Sequence, residues 1–290
     1  MELDFKKITI IGVGLIGGSI ALALKEKNNR IEIIGVGRTL ANLEKAKKQG
    51  LIDYYYSSPE NDAVNESDLI IIATPVGIIP QIVSMIEPYI TSEAIITDVG
   101  SSKSMILNRI DKLKSSKIMF VGSHPMAGSE KKGIEFSRSD MFLNSTCFVT
   151  KNKHTNPFAL NKIKLLWSTL GASVTEVSPE EHDEIVALTS HLPHIIATLQ
   201  SIMTRDKCKN KENELKIKAG IGNGFRDITR IAASDPVMWK DICISNKKYI
   251  LKQINELRLE LFKIETLIQM EDSEGLLQKF SDAKEFRDKI

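Results

Sequence analysis

The sequence predicts an α/β fold in which a doubly wound N-terminal domain over residues 1–178 is followed by an all-α C-terminal domain over residues 179–290. Three observations predict it. Short apolar runs alternate with helical patterns up to about Ser178; a glycine-rich turn separates the first apolar run from the first helical one; and the strand signal stops after Pro179. A length of 290 residues suits about two domains. With 42% hydrophobic and 26% charged residues the composition is that of a globular protein, which excludes disordered and fibrous classes. Lys and Arg number 39 against 37 Asp and Glu, so no global field would hold nucleic acid or an anionic membrane. Any anionic ligand must be caught locally.

The strands come first. The runs Ile8 to Gly12, Ile31 to Val36, Asp68 to Ala73, Ala94 to Val99, Ile118 to Val121 and Thr146 to Thr150 are apolar on both faces, as in the interior of a mainly parallel sheet. The segments between them are long enough for crossover helices. Ser178 and Pro179, followed by Glu180, Glu181 and Asp183, read as the cap and acidic first turn of a helix, and the domain boundary is placed there. Helical spacing then runs to the C-terminus, so no separate regulatory domain is expected. The lysine-rich stretch Arg205 to Lys218 reads as a solvated loop or helix end.

Three widely spaced cysteines, Cys147, Cys208 and Cys243, form neither a disulfide framework nor a zinc spacing and read as reduced thiols. Residues 1–7 are too short and too charged for a signal peptide, and no later run approaches the ~18 to 20 apolar residues of a membrane span. The expected compartment is the cytoplasm.

The first strand runs into Gly12-Val13-Gly14-Leu15-Ile16-Gly17-Gly18-Ser19, and helix formers follow. Gly12 permits the tight turn, Gly14 lets backbone approach a pyrophosphate, and Gly17 lets helix pack on strand. The backbone from Gly12 through Leu15 and Ile16 to Gly17 is thus the expected dinucleotide cradle of a Rossmann-like domain, with the helix N-terminus facing the phosphates. Thr74 and Pro75, at the end of the strand from Asp68, either line the same crevice or merely stop the strand. The second strand ends in Gly37-Arg38-Thr39, where NAD-preferring domains usually carry an acidic residue. Without that carboxylate, and with Arg38 and Thr39 able to donate to a 2′-phosphate, NADP is expected to serve at least as well as NAD.

Two further turns lie on the same edge of the sheet: Asp98 to Lys103 (DVGSSK) and Ser123 to Glu130 (SHPMAGSE). His124 is a candidate general base, because an imidazole of pKa ~6.5 exchanges protons near neutrality. In the helical domain Arg226 and Arg230 stand four apart with Asp227 adjacent, so a substrate carrying two carboxylates is a candidate partner, against a plain solvated helix face.

Taken together, Gly12 to Ser19, Asp98 to Lys103, Ser123 to Glu130, Ser190 to His194 (SHLPH), Gly224 to Arg230 (GFRDITR) and Trp239 resemble, in order, the motifs of the prephenate dehydrogenases, including the arogenate and cyclohexadienyl dehydrogenases. The resemblance implies an enzyme that oxidatively decarboxylates prephenate or arogenate with hydride transfer to NAD or NADP, on the route to tyrosine. It implies that His124 hydrogen-bonds the ring hydroxyl with help from Ser101, for which Ser102 is the alternative. It further implies that Arg230 holds a carboxylate, that His194, Ser190 and Ser129 line the substrate cavity, and that Glu130, Arg226 and Asp227 form an ionic gate. His182 and Asp183 match a family pair. A helical domain that forms a homodimer is also implied, and the four-three spacing of Ile250, Ile254, Leu257, Leu261, Ile264 and Ile268 suits either such a seam or packing within one subunit.

Rival readings differ in class. A β-hydroxyacid-type dehydrogenase would resemble its relatives through a lysine in a helical motif, and no match is found. A nucleotide sensor without turnover predicts loss of His124 or Arg230, and both are present. A metal site at His182, His191 and His194 has suggestive spacing but neither an HExxH pattern nor cysteine partners, so no metal is expected.

Overall fold

Runs rich in Ile and Val form the centre of one eight-stranded sheet. The computed structural model describes residues 3–90, 94–113, 115, 117–129, 131 and 133–289. In chain order its elements are β1 (Lys7–Ile11), α1 (Leu15–Lys27), β2 (Glu32–Val36), α2 (Leu40–Lys48), β3 (Tyr54–Tyr56), α3 (Asn61–Val64), β4 (Leu69–Ile72), α4 (Ile79–Ile86), β5 (Ala94–Asp98), α5 (Ser104–Ile110), β6 (Ile118–Pro125), β7 (Thr146–Thr150), α6 (Pro157–Thr169) and β8 (Ser173–Val177). Helices then take over: α7 (Pro179–Val186), a π-helical turn (Ala187–His191), α8 (Leu192–Lys207), α9 (Lys211–Ala219), α10 (Asn223–Thr229), α11 (Pro236–Ser245), α12 (Lys247–Gln269) and α13 (Ser273–Arg287).

The strand order is β3-β2-β1-β4-β5-β6-β7-β8, parallel throughout except between β6 and β7. Ile11 at the end of β1 pairs with Val36 on one side and Ile72 on the other. The chain therefore reverses its direction of winding between β1 and β4, and the crevice beyond their carboxyl ends is where such sheets bind ligands. Alternate side chains feed two cores. Ile8, Ile10 and Ile33 join Ile20, Leu24 and Trp167 on one face, while Ile11, Ile34, Ile70 and Ile72 join Ile79, Val83 and Ile106 on the other. Burial on both faces explains why these strands read as continuous apolar runs.

Residues 1–246 form one compact unit and residues 247–290 another. The change from strands to helices falls between Val177 and Pro179, within the first unit. In the second unit α12 and α13 pack on each other, with Lys279 Nζ 3.0 Å from Glu260. They expose Leu259, Leu261, Phe262, Ile268, Leu277 and Phe280.

Several expectations are corrected. β6 continues through His124 to Pro125 instead of ending at Val121, because β7 pairs antiparallel with Gly122–Pro125 and extends the ladder. β3 and β8 were not anticipated: one has three residues, and the other, Ser-Val-Thr-Glu-Val, has three polar residues among its five and lies at the sheet edge. The lysine-rich stretch is largely helical, as the end of α8 and all of α9, with Glu212–Lys216 and Glu214–Lys218 paired four residues apart. Pro179–Lys207 is a continuous helical stretch of 29 residues, long and apolar enough by length and composition to cross a membrane, where the sequence reading saw no such run. That stretch buries His182, Asp183, His191 and His194.

Candidate active site

The dinucleotide turn is built by steric necessity. Gly12 has φ +104°, and a Cβ there would stand 2.4 Å from the Ala73 carbonyl oxygen; at Gly17 it would stand 2.1 Å from that of Gly12. Neither position admits a side chain. A Cβ at Gly14 would meet nothing within 4 Å, so open space lies where a pyrophosphate has to approach. Leu15 and Ile16 begin α1, whose first N–H groups lack intrahelical acceptors. At the next strand end Thr74 Oγ1 is buried without a hydrogen-bond partner in the protein, and exposed Pro75 starts the following turn. Arg38 and Thr39 are exposed past β2. These residues fit a dinucleotide: room, free donors and one unsatisfied hydroxyl converge on one crevice.

Along the same carboxyl edge, His124 ends a chain of three titratable groups. Its Nδ1 is 2.8 Å from His182 Nε2, and His182 Nδ1 is 2.8 Å from Asp183 Oδ1. Asp183 also accepts the N–H groups of Lys103 (2.7 Å) and Ser104 (3.0 Å). Burial alone would raise the Asp183 pKa, but the bond from His182 and these N–H donors hold it below the usual carboxylate range. The tautomers follow from a charged Asp183. His182 must donate from Nδ1, so its Nε2 accepts, and His124 must donate from Nδ1. That leaves the lone pair of His124 Nε2 available for a substrate proton. Burial, followed by the proximity of His182 and Lys103, holds His124 well below its ordinary pKa, and burial lowers His182 too; both are neutral near pH 7. His124 is 8% exposed and His182 not at all, so only His124 can be reached from the crevice.

Around this chain the serines divide. Ser102 is fully buried and donates to Ser245 Oγ at 2.8 Å, whereas Ser101 is partly exposed. Asn246 Nδ2 donates to the Asp183 carbonyl (2.8 Å) and to His191 Nδ1 (3.1 Å), tying α7 and the last residue of the π turn to the end of α11. His194 stacks on Trp239, ring centroids 3.5 Å apart and 15° from parallel, and His191 meets the same indole edge-on. Burial pushes both His191 and His194 down to about 4.

The structure thus brings His124, His182, Asp183, Ser101, His191, His194 and Trp239 into one neighbourhood of the first unit. Ser190 is half-buried in the π turn. Arg226 and Asp227 lie exposed on α10, and Arg230 opens the 3₁₀ turn that follows; both segments pack on α8, the helix carrying His194. The helix tightens at Arg230, so Arg226 and Arg230 do not share an unbroken α-helical face. Ser129 is exposed, its Oγ accepting the Lys131 N–H at 3.2 Å. Glu130 lies outside the described residues. Sequence reasoning gave no role to Lys103, Asp98, Asn246 or Ser245; the adjacent His182-Asp183 pair just after a capping box was the one legible sign of the buried chain.

The sequence pattern described as "Prephenate dehydrogenase, nucleotide-binding domain" matches residues 20–176, and "Prephenate dehydrogenase, dimerization domain" matches residues 178–282. The chain belongs to the prephenate dehydrogenase family. It is 40% identical to the prephenate dehydrogenase of Bacillus subtilis, over 97% of this chain and 75% of that one. It is 32% identical to the cyclohexadienyl dehydrogenase of Zymomonas mobilis, over 98% and 95% of the two chains. The crystal structure of prephenate dehydrogenase from A. aeolicus in complex with hydroxyphenyl propionate and NAD+ superposes with TM-score 0.91 at 31% identity, covering 99% of each chain. As a member of this family the chain is an NAD(P)-dependent oxidoreductase.

Proposed function

We propose that this enzyme oxidatively decarboxylates prephenate, or its amino counterpart arogenate, giving 4-hydroxyphenylpyruvate or tyrosine. Family membership supports the reaction class, and one observation carries the mechanism: a neutral histidine, reachable only at Nε2, at the strand edge where the glycine turn lies. His124 Nε2 takes the ring-hydroxyl proton while hydride leaves the same carbon. Loss of CO2 from the opposite carbon supplies the electron pair that makes the ring aromatic, and the proton returns from His124 to the phenolic oxygen. Gly12, Gly14, Leu15, Ile16, Gly17, Thr74 and Pro75 hold the dinucleotide, whose nicotinamide, when bound, accepts the hydride. His182 and Asp183 fix the His124 tautomer and share the charge it gains. Ser101 assists at the hydroxyl. Arg230 holds a substrate carboxylate, His194, Ser190 and Ser129 line the cavity, and Arg226, Asp227 and Glu130 gate it. Steady-state kinetics with both substrates and both coenzymes test this reading. Turnover of neither substrate would overturn it.

NADP is accepted at least as well as NAD, because Gly37 offers no carboxylate against a 2′-phosphate and Arg38 offers donors. The enzyme works as a cytoplasmic homodimer, with 1–178 as the dinucleotide-binding domain and 179–290 as the helical one. The apolar surface on α12 and α13 supports self-association, since an exposed patch of this kind marks an interface.

A further inference from the structure

Asp98, the last residue of β5, and Lys103, just ahead of α5, are both fully buried and form a hydrogen-bonded ion pair. Replacing such a pair by well-packed apolar residues is often neutral or stabilising, so stability alone does not explain it. Its other bonds are more telling. Lys103 Nζ donates to the Ser123 carbonyl oxygen at 2.7 Å, and Asp98 Oδ1 accepts the Ser123 N–H at 3.1 Å. Both backbone polar groups of the residue preceding His124 are therefore held by this one pair. Asp98 Oδ2 also accepts the Gly100 N–H at 2.9 Å, which shapes the turn bearing Ser101. From the other side, the Lys103 N–H anchors Asp183, which holds His182, which holds His124. Lys103 thus reaches His124 by two independent routes.

We propose that Lys103 and Asp98 are positioning residues for His124, setting where its free Nε2 stands through the Ser123 backbone on one side and the Asp183–His182 chain on the other. The inference rests on His124 acting as the base. Because it concerns geometry at a proton-transfer site, a misplacement of the order of 1 Å costs about 10²-fold in rate. The charged and titratable groups around His124 are His182 and Asp183 from α7, His191 from the π turn, Asp98 from β5, Lys103 from the turn before α5, and Cys147 from β7. Of these, Lys103 is a cation that opposes protonation of His124.

The test uses the full chain and four variants: Lys103→Met, Asp98→Asn, the double variant Asp98→Asn/Lys103→Met, and His124→Asn as the reference for loss of the base. In Lys103→Met, kcat is expected to fall about 10²-fold with substrate and coenzyme KM within threefold, and the acid limb of kcat/KM is expected to move to higher pH, because the opposing cation is gone. The double variant leaves no unpaired buried charge, so it should recover Tm without recovering kcat. A double variant with the kcat and pH profile of the natural enzyme would overturn the proposal, as would an unmoved acid limb in Lys103→Met. Normal turnover in His124→Asn would instead remove the reading on which the proposal stands, so the two failures are distinguishable.

Discussion

Replacing His124 by Asn separates the base from its scaffold. An Asn side-chain amide places its nitrogen close to where the imidazole Nδ1 lies, so the 2.8 Å bond to His182 Nε2 can persist. What disappears is Nε2. His124→Ala, by contrast, strands the buried His182 Nε2 without a donor, a loss of roughly 1–3 kcal/mol in stability. The expected result is a Tm for His124→Asn near that of the natural protein and a clearly lower one for His124→Ala. Turnover should fall in both, since proton transfer by a positioned side chain contributes about 10²- to 10⁴-fold, or roughly 2.7–5.4 kcal/mol of barrier. Substrate KM should change little, because the base acts as the proton moves. The assay is steady-state formation of reduced coenzyme at saturating substrate, with thermal unfolding run alongside. A kcat for His124→Asn within about threefold of the natural enzyme, with Tm unchanged, would refute the assignment of His124 as base.

Arg230→Ala should mainly raise substrate KM, because a carboxylate contact present in ground and transition states alike is uniform binding, and an unchanged KM would remove Arg230 from the site. Gly37→Asp should turn the coenzyme ratio of kcat/KM towards NAD by tenfold or more; the nearest atom to a Cβ at Gly37 belongs to Leu43, at an ordinary 3.4 Å, so a loss of activity with both coenzymes alike would contradict the reading of this position. His191 and His194 are held at about 4 against ~6.5 in an unfolded chain, so the unfolded state binds more protons between those values. Stability should therefore be full above about pH 6.5 and fall as the pH drops towards 4; a urea midpoint constant across that window would argue against burial of both neutral rings. Light scattering should return a mass about twice 32.4 kDa, and a value near 32.4 kDa at micromolar concentration would rule out the dimer.

Local chemistry was legible and long-range chemistry was not. The glycine turn could be read because its constraints act within residues 12–17 and on the neighbouring strand end. The α/β alternation could be read because buried parallel strands are apolar on both faces. β8 escaped because three of its five residues are polar, as its place at the sheet edge allows, and the reach of β6 escaped because its length depends on antiparallel pairing with a strand some twenty residues on. In the candidate site His124 stands in a recognisable motif. Its partner His182 lies 58 residues away, and the pairing is a product of the fold. Lys103 is harder still: in sequence it only closes the Asp98–Lys103 motif, and the fold alone buries it against Asp98 and Ser123.

The π turn at Ala187–His191 sets the angular phase of a single rod. His182 and His194 both belong to Pro179–Lys207, one continuous helical stretch. One of them bonds His124, while the other stacks on Trp239. Winding the same residues as ordinary α-helix, with none removed, would advance everything beyond the turn by the one residue it absorbs, a rotation of about 100° and a shift of about 1.5 Å. His194 would leave its indole while His182 stayed in place, so the two halves of the site would lose their common bearing although every residue of the motifs remained. The wide turn therefore works as a fixed gear offset between His124 and Trp239, and the winding of the chain through it is as much a part of the site as any side chain.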